Sequence, residues 1–240
     1  MSNTRVWLRL RFAAWLALVI HLVAGFAMAL ILRQGLETNP DLEARLMFLV
    51  DRTPLWIGGW LTWNAAALSI LYFYAAFAWA HATDGKTPTS PLAFAVILST
   101  VGVAADLAAE AMEMGVLPGL ARRVLADATH DVAHTTAVLT FLSLHRSAVM
   151  LTGYLANGLY TLSALLCVCS TRHAYPRWVW VAGLGVGMSG LALSEASLVN
   201  SIAGMFWSNV ALVPCIMLWQ IGVAVTAAKR GIPGTGYSIS

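Results

Sequence analysis

The stretch "DATHDVAH", Asp127 to His134, places two aspartates and two histidines at 127, 130, 131 and 134, in a chain whose residues are 10% charged and 59% hydrophobic. The spacing i, i+3, i+4, i+7 puts all four side chains on one face of a helix. A second set, Asp106, Glu110 and Glu113 in "AADLAAEAMEMG", shares a face in the same way. Three chemistries fit these groups. In the first, His130 and His134 give imidazole nitrogens to a metal, with Glu110, Glu113, Asp127 and Asp131 as oxygen ligands or as partners that orient the rings. Such a mixed nitrogen and oxygen set suits Zn, Fe or Cu rather than Ca or Mg. The glutamate of H-E-x-x-H is missing, however, and Asp131 stands in its place. In the second, Asp127, His130, Asp131 and His134 form the wet face of an amphipathic helix, while Arg122, Arg123 and Arg146 neutralise the nearby glutamates. In the third, Asp106, Glu110 and Glu113 form a proton or cation relay, because stacked intramembrane carboxylates also line transport pathways.

These groups need elements to hold them, and the composition says which kind. A mean hydropathy of +0.74 leaves too little polar surface for a water-soluble domain, where about 25% of residues are charged. Apolar runs at 11–32, 55–80, 91–115, 147–170, 178–198 and 206–228 are each close to the roughly 20 residues that a helix needs to cross hydrocarbon. Each must be helical, since open backbone groups find no partner in lipid. The first run is too long for a signal peptide and is read as a retained helix. Between the third and fourth runs, residues 119–146 are long enough for a further helix, amphipathic or half-inserted, running from "LPGL" to "LSLH". Residues 33–54 suit a short interfacial helix around "ARLMFLV".

Arginine and lysine in the connections set the orientation. With both termini cytoplasmic, the inner set is Arg5, Arg9, Arg11, Lys86, Arg172, Arg177, Lys229 and Arg230. The outer set is Arg33, Arg45, Arg52, Arg122, Arg123 and Arg146, in the two long loops where the rule weighs less. This puts the acidic and histidine groups toward the outer side. Trp56, Trp60, Trp63, Trp178 and Trp180 are placed for an aromatic belt at the headgroups. "GLGVGMSG", Gly183 to Gly190, has small residues at spacings that let helices approach closely. His21, Asn157 and Glu195 are read as deep polar groups that face the bundle interior and bond across helices. Haem is disfavoured, because none of His81, His145 or His173 lies at the depth of His21. The scattered basic residues suggest no nucleic-acid surface, and no nucleotide loop or placed nucleophile is present.

The stretch "LHRSAVMLTGYLANGLYTLSALLCVCSTRHAYPRWVWVAGLGVGMSG" and the first span "RLRFAAWLALVIHLVAGF" resemble a widespread bacterial family of multi-pass membrane proteins known only as a domain of unknown function. The likeness lies in Leu144-His145 before the fourth helix and in Pro176-Arg177-Trp178 leading into the fifth. The "DATHDVAH" cluster departs from that pattern. The resemblance implies six helices and a bacterial inner-membrane location, and it carries over no activity and no functional residue. The expectation is a single all-α domain over 1–240, a six-transmembrane-helix bundle in a lipid bilayer. Its function is read as that of an accessory subunit packed against other membrane subunits or against itself. A metal-dependent enzyme or metal-handling protein and a proton- or cation-coupled transporter stand as alternatives.

Overall fold

A computed structural model describes residues 3–85, 87–126 and 132–231. Among them six helices are long and apolar enough to cross a membrane, and no strand is present. The elements are α1 (Asn3–Leu30), α2 (Leu42–Asp51), α3 (Thr53–Thr83), α4 (Thr89–Gly115), α5 (Leu117–Ala126), α6 (Val132–Val149), α7 (Asn157–Ser170), α8 (Arg177–Leu198) and α9 (Ile202–Arg230). The chain is an all-α polytopic bundle.

The spanning helices form a ring in chain order. α1 packs on α3, α3 on α4, α4 on α7, α7 on α8, α8 on α9, and α9 returns to α1. Inside the ring lies an apolar cluster in which Phe73 meets Trp219 edge to face, with ring centroids 5.2 Å apart and planes at 89°. The small-residue stretch works as its spacing predicts. A side chain on Gly183, Gly187 or Gly190 would run into Val168, Leu165 or Thr161 of α7, so their absence is what seats α8 against α7.

A second apolar cluster caps one end. It joins Leu32, Leu46, Leu49, Trp56, Trp60, Leu117, Ala121, Val124 and Phe141. α2 starts at Asp41, whose carboxylate accepts from the Ala44 N–H at 3.1 Å, a side-chain cap for an otherwise open first turn. It lies against α5, the amphipathic helix after the third span. The turn before α2 is pressed close: a Cβ on Gly35 would sit 2.5 Å from Leu49 and 2.7 Å from Trp56.

Several expectations change here. The extra amphipathic helix expected between the third and fourth spans is present as α5, Leu117–Ala126, while the apolar second half of the expected 119–146 segment belongs to α6. α5 ends at Ala126, and α6 continues through a π-helical segment, Met150–Ala156, into α7, so the fourth span is one long helix from Val132 to Ser170. Trp56 and Trp60 are buried under α2 rather than turned to the headgroups, whereas Trp178 is 48% exposed. Glu195 faces outward. It lies three residues from the end of α8, so its carboxylate can reach past the apolar zone instead of paying for burial. His21 bonds within its own helix, to the Ala17 carbonyl at 2.7 Å. Asn157 does bridge helices, donating to the Gly190 carbonyl and to Ser194 Oγ, both at 2.8 Å.

Candidate functional site

Directly beneath the cap, α4 turns its acidic stripe into the bundle. Glu110 and Glu113 are each 1% exposed, and Asp106 is half-buried. The 3.6-residue period brings these groups to one side. That side faces α7 and its π-helical segment, the neighbours of α4 around the ring.

Glu113 has an imidazole partner. Its Oε1 lies 2.9 Å from His145 Nδ1, with both side chains 1% exposed. The pair is framed from three directions. Trp56 Nε1–H donates to the Glu113 carbonyl at 2.8 Å. Phe141, one helical turn before His145, lies parallel to its ring, with planes at 8° and centroids 6.3 Å apart. The Arg45 guanidinium also lies over Phe141, 6.0 Å from the ring centroid, anchored by Nε–H to the Gly35 carbonyl at 3.3 Å. Burial pulls Arg45 below its ordinary value, against the attraction of Glu37 and Glu113. A guanidinium keeps its proton through such a shift.

What the site leaves open matters as much. Glu110 Oε2, Glu113 Oε2, His145 Nε2 and Arg45 Nη2 are buried and have no hydrogen-bond partner among the described residues. Buried polar atoms in folded proteins are usually paired, so four orphans in one neighbourhood mark a place able to accept a proton or a polar guest. Further from the cap, Tyr160 O–H donates to Asp106 Oδ2 at 3.1 Å, and Tyr74 O–H donates to the Tyr160 carbonyl at 2.9 Å. Ser99, two turns before Asp106, is fully buried with an unpaired hydroxyl. At 1.5 Å per residue, Ser99 to Glu113 covers roughly 21 Å along α4.

The sequence-level candidates divide in two. Asp106, Glu110 and Glu113 gather as the spacing implies. Asp127, His130 and Asp131 lie outside the described residues, and His134 sits half-buried in the first turn of α6. Among the described residues, no group of three or more His, Cys, Asp or Glu side chains is placed to hold a metal ion. The arginines near the cluster act differently from the expectation. Arg146 does not neutralise the glutamates: its Nη2 donates to the Ser197 and Leu198 carbonyls at 2.6 and 3.2 Å, closing the end of α8. Arg122 turns back to the Pro118 carbonyl of its own helix.

Three members of the site escape a reading of spacing alone: His145, Arg45 and Trp56. The one available signal was Phe141 four residues before His145, a stacking distance on a helix. No family model matches the chain, and neither the curated proteins nor the solved structures contain a match to it.

Proposed function

We propose that this chain handles protons inside the membrane, as a small proton-coupled transporter or relay built on Glu113, His145, Glu110 and Asp106. The observation that carries the reading is the buried Glu113–His145 pair with Glu110 one turn away, each with an unpartnered polar atom. A carboxylate deep in a bilayer costs about 2.5–3.5 kcal/mol on insertion scales, and a stripe of three would add mutual repulsion. Neutralisation by protons removes both costs, and among the described residues only Glu113 of the stripe has an imidazole at hydrogen-bond distance to trade one. In this role His145 exchanges a proton with Glu113, Glu110 takes it one turn along α4, and Asp106 with Tyr160 continues the file. The cap of α2 and α5 keeps bulk water from the pair.

The same reading places the end where α1 begins on the cytoplasmic side of a bacterial inner membrane and the cap on the periplasmic side. The basic residues near that end, Arg5, Arg9, Arg11, Arg172, Arg177, Lys229 and Arg230, support it. The outward faces, from Phe12 and Phe26 on α1 to Trp207 on α9, are apolar surfaces that lipid covers by itself, so they do not argue for a packing partner.

The test uses the full chain in liposomes. Infrared difference spectra between acid and alkaline buffer should show a protonated carboxyl band that weakens in Glu110→Gln. A potential-driven proton flux should fall by about a hundredfold in the same variant, the scale of losing one proton-transfer group. Spectra without a buried carboxyl band, identical in wild type and Glu110→Gln, would overturn the proposal.

A further inference from the structure

At the opposite end of the bundle from the cap, the turn between α7 and α8 carries an open groove of about 540 Å³ lined by Arg172, His173, Tyr175, Arg177 and Trp180. Arg172, His173 and Arg177 are exposed, and Tyr175 is buried at the floor. The floor is fixed: Tyr175 O–H and His81 Nε2 are 2.9 Å apart. Arg230 donates to the neighbouring Ala174 carbonyl at 2.8 Å. Burial raises the Tyr175 phenol above its ordinary value, so it stays a neutral hydroxyl.

The cations of this groove are uncommitted. Among the described residues, neither Arg172 nor Arg177 forms an ion pair, and the nearby carboxylate of Asp84 is taken by Arg230 at 3.3 Å. Arg172 instead leans on Trp180, its guanidinium 6.0 Å from the ring centroid. Two arginines with free forks match the oxygens of a phosphate. Their depth says which phosphate. Arg177 opens α8, an apolar span, and Trp178 and Trp180 flank it in the first turn. That is the level of lipid headgroups, where amphipathic indoles gather. A soluble phosphate ester would gain nothing from the tryptophans, whereas a phospholipid sets its phosphate on the arginines and its glycerol and upper chains against the indoles.

We propose that this groove is a binding site for the headgroup of an anionic phospholipid. It is independent of the acid–histidine layer and asks only that the bundle sit in a bilayer.

Native mass spectrometry of the full chain in detergent, titrated with phosphatidylglycerol or with phosphatidylcholine, tests it. Wild type should bind phosphatidylglycerol several-fold more tightly than phosphatidylcholine. Arg172→Gln with Arg177→Gln should weaken phosphatidylglycerol binding roughly 30-fold, the change that two cations at an anionic membrane surface account for. Arg172→Lys with Arg177→Lys should retain most of the affinity. A matching charge removal at the far end, Arg122→Gln with Arg123→Gln, should leave it unchanged. Equal affinity for the two lipids in wild type overturns the proposal without recourse to any variant. So does an equal loss in the far-end pair, or displacement of phosphatidylglycerol by an equal concentration of free glycerol phosphate.

Discussion

Removing His145 should be much more costly alone than in the company of Glu113. The two side chains meet at 2.9 Å, each 1% exposed, so no water replaces a lost partner. His145→Ala leaves a buried carboxyl group with neither oxygen paired, since Glu113 Oε2 has no partner to begin with. Breaking a buried pair by deleting one member costs about 3–5 kcal/mol. Glu113→Ala strands the imidazole instead, with Nε2 already unpaired. An orphaned buried polar group costs about 1–3 kcal/mol. The double variant strands neither group, so its cost should fall short of the sum of the singles by roughly 2 kcal/mol, within the range for residues in direct contact. Reversible unfolding in mixed micelles with increasing dodecyl sulfate, followed by circular dichroism, measures all four proteins. Phe141→Leu serves as control, because it disturbs the parallel ring and leaves the bond, and it should preserve the coupling. Costs that add to within about 0.5 kcal/mol would refute the reasoning, for the contact would then carry no energy of its own.

Two other perturbations follow from packing and capping. A Cβ on Gly190 would collide with Thr161, a β-branched side chain that cannot swing aside, while Gly25 has nothing within 4 Å. Gly190→Ala should therefore destabilise by about 1–3 kcal/mol, and Gly25→Ala should be neutral or stabilising by up to about 1 kcal/mol, both read in the same unfolding assay. Arg146→Met removes the charged donor that holds the Ser197 and Leu198 carbonyls. It should cost about 1.5–3 kcal/mol and raise amide hydrogen exchange at the end of α8 and the start of α9 rather than across the bundle.

The spans were readable because lipid demands a single solution, and the carboxylate stripe because a helix has one period. Gly183, Gly187 and Gly190 were readable for the same reason. What stayed hidden depends on contacts distant in sequence. His145 lies 32 residues from Glu113, and the hydropathy pattern sets it just before the fourth span, away from the depth of His21. The polar threonines of "HTTAVLTF" lower the hydropathy at the start of α6 without breaking its helix, since Thr136 and Thr140 return their hydroxyls to Val132 and Thr136 carbonyls at 2.7 and 2.8 Å. The apolar second half of the expected 119–146 helix is therefore part of the fourth span itself. Trp56 and Trp60 looked like belt residues because nothing local says that α2 folds back over them.

That fold-back ties the cap to the chemistry below it. Trp56 belongs to the apolar cluster of the cap and also holds the backbone of Glu113. Phe141 belongs to the same cluster and lies along His145. Arg45 is carried by α2 itself and feels Glu113. Trp56 and Phe141 thus tie an apolar surface to the buried polar pair, and Arg45 adds a charge beside it that needs water kept out. A low-dielectric surrounding strengthens a satisfied pair and penalises an orphan more. Loosening the cap would therefore weaken Glu113–His145 while relieving the unpaired Glu110 and Glu113 oxygens through hydration. The two effects oppose each other, so the balance at this layer is set by the two short helices outside the spans as much as by the spans themselves.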